Sequence, residues 1–62
     1  HGMRRSIVAK KNISKGTVIT EDMLTFKRPA TGIHPSLFEN IVGRKAKIYI
    51  NEDSLIEFSD LI

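Results

Sequence analysis

The chain nearly repeats itself. Laid against itself at an offset of 37 positions, residues 9–24 match residues 46–61, with identities at Ala9/Ala46, Lys10/Lys47, Ile13/Ile50, Ile19/Ile56 and Leu24/Leu61. Val18/Leu55 and Thr17/Ser54 keep apolar and hydroxyl character at equivalent positions. Each copy reads as a strand, a turn, a second apolar run and a helical stop. The turns are SKGT and NEDS, which set Gly16 opposite Asp53. Both residue types tolerate positive φ comparatively well, so one backbone shape serves both copies. Two copies are too few for a solenoid, and the expectation is a compact pseudo-twofold domain in which each half covers the other's apolar face. The alternative is chance similarity between short β segments.

The size of the chain sharpens that constraint. A domain of 62 residues buries only about 60% of the surface its unfolded form exposes. With no cysteine in the sequence there is no disulfide, and the usual Cys/His zinc spacings are missing, so packing alone must hold the fold. Hydrophobic residues at 40% and charged residues at 27% are ordinary globular values and argue against disorder. No apolar run approaches the ~20 residues of a membrane span, and no signal-peptide-like apolar region is present. The expected setting is soluble and, from the missing cysteines, cytoplasmic. His1 to Met3 read as an expression-tag remnant, which leaves 4–62 as one domain, read as a piece of a longer protein.

The net charge of +3 is unevenly spread: residues 1–50 hold all ten Lys and Arg, while residues 51–62 hold Glu52, Asp53, Glu57 and Asp60 and no base. A nucleic-acid binder interleaves clustered bases with stacking aromatics. Here aromatics are 6% of the chain and the bases come in scattered pairs, so docking against an acidic surface is the better reading and nucleic acid is not expected as a partner.

SIVAK and KAKIYI carry strand composition, with TVIT and TFKR as shorter candidates between turn signals. In TEDML, Thr20 is a candidate N-cap, with Glu21 and Asp22 in a single helical turn where carboxylates favour the positive end of the helix dipole. PSLFENIVG predicts the longest helix: Pro35 suits its first position and Gly43 the position after its last turn. Leu37, Phe38, Ile41 and Val42 form an apolar stripe expected in the core.

Between those elements lies KRPATGIHP, Lys27 to Pro35. A residue before proline is pushed toward extended conformation, which restrains Arg28 before Pro29 and His34 before Pro35. Pro29 then fixes its own φ, and Gly32 permits the turn back to the helix. An arginine on so stiff a loop loses less entropy on binding than one on a floppy loop, and its planar fork suits a carboxylate, phosphate or amide oxygen. Arg28 is therefore the candidate binding residue, against the alternative of a solvated arginine at a strand end. Lys27, Pro29, Gly32 and His34 are secondary or structural members of the loop. His34 lacks any partner His or Cys and reads as a cap or a satisfied surface group. No nucleophile stands at recognisable spacing from a base, and there is no phosphate-cradling glycine loop or carboxylate–His cluster. No catalytic or metal-binding residue is assigned, and the adjacent acids Glu21/Asp22 and Glu52/Asp53 are explained by the helix start and turn they occupy.

Taken in order, RRSIVAK, ISKGTVITEDML, KRP, GIHP, IVGRKA and LIEFSDLI resemble the SAF, or antifreeze-like, domain. The likeness runs from Arg4 to Ile62 and is closest to the C-terminal domain of bacterial sialic acid synthases and the related legionaminic and pseudaminic acid synthases. It implies a β-clip fold, mainly β with short 3-10 or α turns and internal pseudo-twofold symmetry. It also implies a missing N-terminal TIM barrel that condenses phosphoenolpyruvate with N-acetylmannosamine or a related sugar, using a divalent ion, Mn or Mg, held in the barrel. Enzymes of this family are domain-swapped homodimers in which the antifreeze-like domain covers the partner subunit's barrel, and the arginine of the RP motif, here Arg28, reaches the sugar. Arg4 and Arg5 match the RRS start and would settle domain position. The isolated domain is then not catalytic.

Three rival readings share the fold. Type III antifreeze proteins bind ice on a flat uncharged face, where this sequence has Lys11, Glu21 and Asp22 near Thr17 and Thr20. The others are an SAF module of pilus or flagellar assembly chaperones and a general sugar-binding module.

Overall fold

A computed structural model describes residues 5–28 and 31–62. Strand β1 (Ser6–Ala9) pairs antiparallel with β2 (Leu24–Lys27), in the register Ser6↔Lys27 to Ala9↔Leu24. Three 3-10 helices complete the regular structure, at Glu21–Met23, Pro35–Asn40 and Phe58–Asp60. Elsewhere the chain is joined by single-residue β-bridges, because it changes bonding partner every residue or two.

Those bridges carry out the predicted twofold. Ala9↔Leu24 in the strand pair is matched by Ala46↔Leu61, and Val8↔Leu55 by Val18↔Lys45. Single hydrogen bonds repeat as well: Ala9 N–H donates to Ser54 O at 3.0 Å and Ala46 N–H to Thr17 O at 3.0 Å. Asp53 N–H reaches Ala9 O at 2.8 Å as Gly16 N–H reaches Ala46 O at 2.8 Å. On the axis itself, Ile13 and Ile50 exchange both bonds, each at 2.8 Å. The equivalent turns share a left-handed residue, Gly16 at φ 86° and Asp53 at φ 70°. This is the common backbone shape expected from SKGT and NEDS.

The core lies between the two halves. Ile7, Ala9, Ile13, Ile19, Leu24, Ile33, Ile41, Ala46, Ile50, Ile56 and Leu61 form one buried cluster, with Met23, Phe38 and Val42 packed against it. Four twin pairs appear in it: Ala9/Ala46, Ile13/Ile50, Ile19/Ile56 and Leu24/Leu61. The identities in the repeat are thus the positions where each half fills the other. β-Branched isoleucine suits such a site, since its one preferred rotamer costs little entropy to fix in an extended chain.

Three expectations are corrected. The segment Pro35–Asn40 is a 3-10 helix, not an α-helix. It is pinned at both ends, with Ile33 O accepting from Ile7 N–H and Gly43 N–H donating to Ile19 O, which leaves little room for longer i→i+4 winding. The helix stops at Asn40 with Ile41 as its C-cap, and Gly43, at φ 95°, lies beyond that cap in the turn that follows. Of the apolar stripe, Ile41 is fully buried and Phe38 and Val42 are half-buried, but Leu37 is 39% exposed. A 3-10 winding of 3.0 residues per turn carries Leu37 away from the face an α-helix would give it. TVIT and KAKIYI are not continuous strands: they touch the ladder only at Val18 and at Lys45, Ala46 and Ile50.

Candidate functional site

The loop carrying Arg28 is anchored on each side. Before it, Lys27 is the last paired residue of β2, and its Nζ meets Asp53 Oδ1 at 2.5 Å. Lys27 is therefore tied to the turn of the second copy, a structural use of a residue set beside Arg28 in the sequence. Arg28 follows directly and is exposed. Pro29, with its fixed φ, lies outside the described residues.

Beyond it, Gly32 N–H donates to Ser6 Oγ at 2.9 Å. A β-carbon on Gly32 would stand 3.3 Å from Leu55 Cδ2, 3.3 Å from Ser6 Cβ and 3.4 Å from Ser6 Oγ. Its φ is not in the left-handed region, so glycine is needed here for close approach, and the sequence reading of a permissive turn is corrected. His34 is the N-cap of the 3-10 helix, with its Nδ1 accepting from Ser36 N–H at 3.0 Å and lying 2.8 Å from Ser36 Oγ. Pro35 takes the first helical position. The reading of His34 as a cap holds. Below the loop, the Phe26 and Phe38 rings meet at 5.6 Å between centroids, tilted by 55°, which joins β2 to the helix.

A cleft of about 490 Å³ opens beside this loop, lined by Thr31, Gly32, Ile33, His34, Leu37, Glu57, Phe58 and Ser59. Its far wall is the 3-10 helix Phe58–Asp60, whose start is held by a capping box. The Glu57 carboxylate accepts from Asp60 N–H, and Glu57 N–H donates to Asp60 Oδ2 at 3.2 Å. Phe58 is 41% exposed and lies 5.7 Å from the Arg44 guanidinium carbon, a cation–π contact that fixes the ring's outer side.

On the opposite copy the equivalent surface is charged. Lys11 Nζ meets Asp22 Oδ2 at 3.3 Å, and the Thr20 hydroxyl donates to Asp22 Oδ1. The Thr20 hydroxyl, followed by Lys11, holds the Asp22 carboxyl below the usual carboxylate range.

The SAF domain family matches residues 4–62. This chain is an SAF domain. It is 46% identical over 59 residues to an uncharacterised protein of Methanocaldococcus jannaschii, covering 95% of this chain and 18% of that protein. It is also 46% identical over 54 residues to the N,N'-diacetyllegionaminic acid synthase of Campylobacter jejuni, covering 87% of this chain and 16% of that protein. Its structure superposes with a TM-score of 0.94 and 36% identity on the antifreeze protein like domain of human N-acetylneuraminic acid phosphate synthase, solved in solution, covering 100% of this chain and 80% of that one. The SAF domain spans less than a fifth of the length of the curated relatives it matches.

Of the residues singled out in the sequence, the SAF domain brings Gly32 and His34 into the cleft, and Lys27 and Arg28 do not line it. Sequence reasoning missed Thr31, Leu37, Glu57, Phe58 and Ser59. One signal was available: at the repeat offset Phe58 stands opposite Glu21 and Ser59 opposite Asp22, so an aromatic replaces a charge where the fold asks for neither. Among the described residues no three His, Cys, Asp or Glu side chains gather to hold a metal ion.

Proposed function

We propose that this SAF domain is the C-terminal cap of a synthase that condenses phosphoenolpyruvate with N-acetylmannosamine or a related acylamino sugar. In this reading the domain covers the barrel of the partner subunit in a domain-swapped homodimer and offers Arg28 to the sugar. The observation that carries the proposal is the 46% identity to a diacetyllegionaminic acid synthase, joined to the presence of Arg28 on an exposed loop anchored at Lys27 and Gly32. A guanidinium so presented donates to a substrate oxygen while the loop keeps water away, and the barrel supplies most of the binding energy. The divalent Mn or Mg ion belongs to the barrel in this reading. The rival reading of ice adsorption is opposed by the Lys11–Asp22 ion pair beside Thr20, whose strong hydration a regular ice surface would have to displace.

The test is Arg28→Ala in the full-length parent enzyme. Loss of one hydrogen bond from a charged donor, about 1.5–3 kcal/mol, raises KM for the sugar roughly ten- to 150-fold and leaves metal binding intact. Unchanged sugar kinetics would sink the assignment.

A further inference from the structure

The cleft beside the Arg28 loop has no twin. Its near wall, Thr31 to Leu37, comes from the connector between the two copies, and its far wall, Glu57 to Ser59, from the second copy alone. Four twin pairs of the core obey the twofold, whereas neither wall of the cleft has an apolar counterpart in the other copy.

The walls are preformed. Ile33 O accepts from Ile7 N–H at 3.0 Å, and Gly32 is seated on Ser6. With Nδ1 accepting from Ser36 N–H, the proton of the neutral His34 ring sits on Nε2, which leaves that atom as a donor. The Glu57 carboxylate is oriented by Asp60 N–H and keeps acceptor capacity, because a carboxylate has about four lone-pair sites. Ile33, Leu37 and Phe58 supply apolar surface, and Thr31 and Ser59 supply hydroxyls. One donor, one acceptor, hydroxyls and an exposed aromatic ring over an apolar floor match an amide-bearing pyranose. The amide C=O accepts from His34, its N–H donates to Glu57, and the sugar's C–H face lies on Phe58. Glu57 is the charged group among the lining residues, with Arg44 set against the Phe58 ring, and an uncharged ligand meets the Glu57 carboxylate without repulsion. The volume, about 490 Å³, lies in the range of small-molecule sites, roughly 300–1,000 Å³.

We infer that the cleft between His34 and Phe58 is a second subsite of this domain, which takes an uncharged acylamino sugar independently of Arg28. The choice of a sugar over another small amide rests on the proposed function.

The test is an amide-resolved NMR titration of the 62-residue domain with N-acetylmannosamine, carried to tens of millimolar, with mannose as the matched probe lacking the amide. Shifts are expected at residues 31–37 and 57–59, with mannose about tenfold weaker because it leaves His34 and Glu57 unpaired. His34→Asn retains a capping oxygen for Ser36 N–H but removes the ring donor, and it weakens binding about tenfold. Phe58→Leu keeps apolar volume and removes the ring, and it serves as the second readout if His34→Asn disturbs the fold. The titration reads the cleft, whereas sugar KM in the full-length parent reads Arg28, so a failed cleft and a failed Arg28 assignment are told apart. Absence of cleft shifts or an equal response to mannose overturns the inference.

Discussion

Replacing Ser6 with alanine should loosen the Arg28 loop from the inside. Ser6 is fully buried in β1, and its Oγ accepts from Gly32 N–H at 2.9 Å. The alanine leaves that N–H without its partner. A buried donor stranded in this way costs about 1–3 kcal/mol. Gly32 is half-buried, so water recovers part of the loss and the lower half of the range, about 1–2 kcal/mol, applies. At 0.05–0.15 kcal/mol per residue, a domain of 62 residues has a stability of about 3–9 kcal/mol, of which this is a large share. In a domain of this size each kcal/mol moves Tm by about 4–8 °C, which gives a fall of about 4–16 °C. Thermal denaturation followed by circular dichroism measures the fall, and hydrogen exchange at the Gly32 amide reports whether it begins there. A Tm within about 2 °C of the parent, well below that range, or an undiminished protection of Gly32, would refute the reasoning that this bond anchors the loop.

Ile13 and Ile50 are twins on the axis, 1% and 3% exposed, so Ile13→Val and Ile50→Val should each cost about 0.5–1.5 kcal/mol and agree with one another in urea denaturation. Gly16 sits at φ 86°, so Gly16→Val should cost about 1–2 kcal/mol, whereas Gly16→Asp, which installs the sister turn's residue, should cost less; the order of the two midpoints checks this. Asp22 titrates low because Thr20 and Lys11 favour its ionised form. Its contribution is therefore complete above the unfolded value of about 3.9 and is lost as pH falls through its own lower value. Thr20→Val should move the Asp22 titration, followed by carboxyl NMR, back up toward the ordinary range.

What the sequence made legible is what the twofold repeats. The turn pair Gly16/Asp53, the core identities and the start of the 3-10 helix at His34 and Pro35 each depend on neighbours within a few residues or on the twin copy. Gly32 was legible as necessary but not for the right reason, because its partners Ser6 and Leu55 lie more than twenty positions away along the chain. Lys27 was read as a secondary or structural member of the loop, and only folding shows its partner, Asp53. The cleft was legible only in the repeat's mismatch at Phe58 and Ser59. It arises where a connector without a repeat partner meets the second copy's last helix, and no local pattern encodes that meeting. Leu37 followed the same logic: the helical period was read as α, and anchoring at both ends imposed the tighter winding.

The crossing bonds of the fold bear on how a domain of this kind can move. Ile7 to Ile33, Ala9 to Ser54, Ile13 to Ile50 and Ala46 to Thr17 interlace every segment that borders the loop, and the loop is stapled to that weave at Lys27 and Gly32. A segment opens by itself only if its bonds can be released without disturbing the rest. Among the described residues this weave ties both flanks of the loop to the two halves. In the proposed capping role, the loop would therefore be lifted with the domain as a unit, at a pace set by the surface the domain rests on.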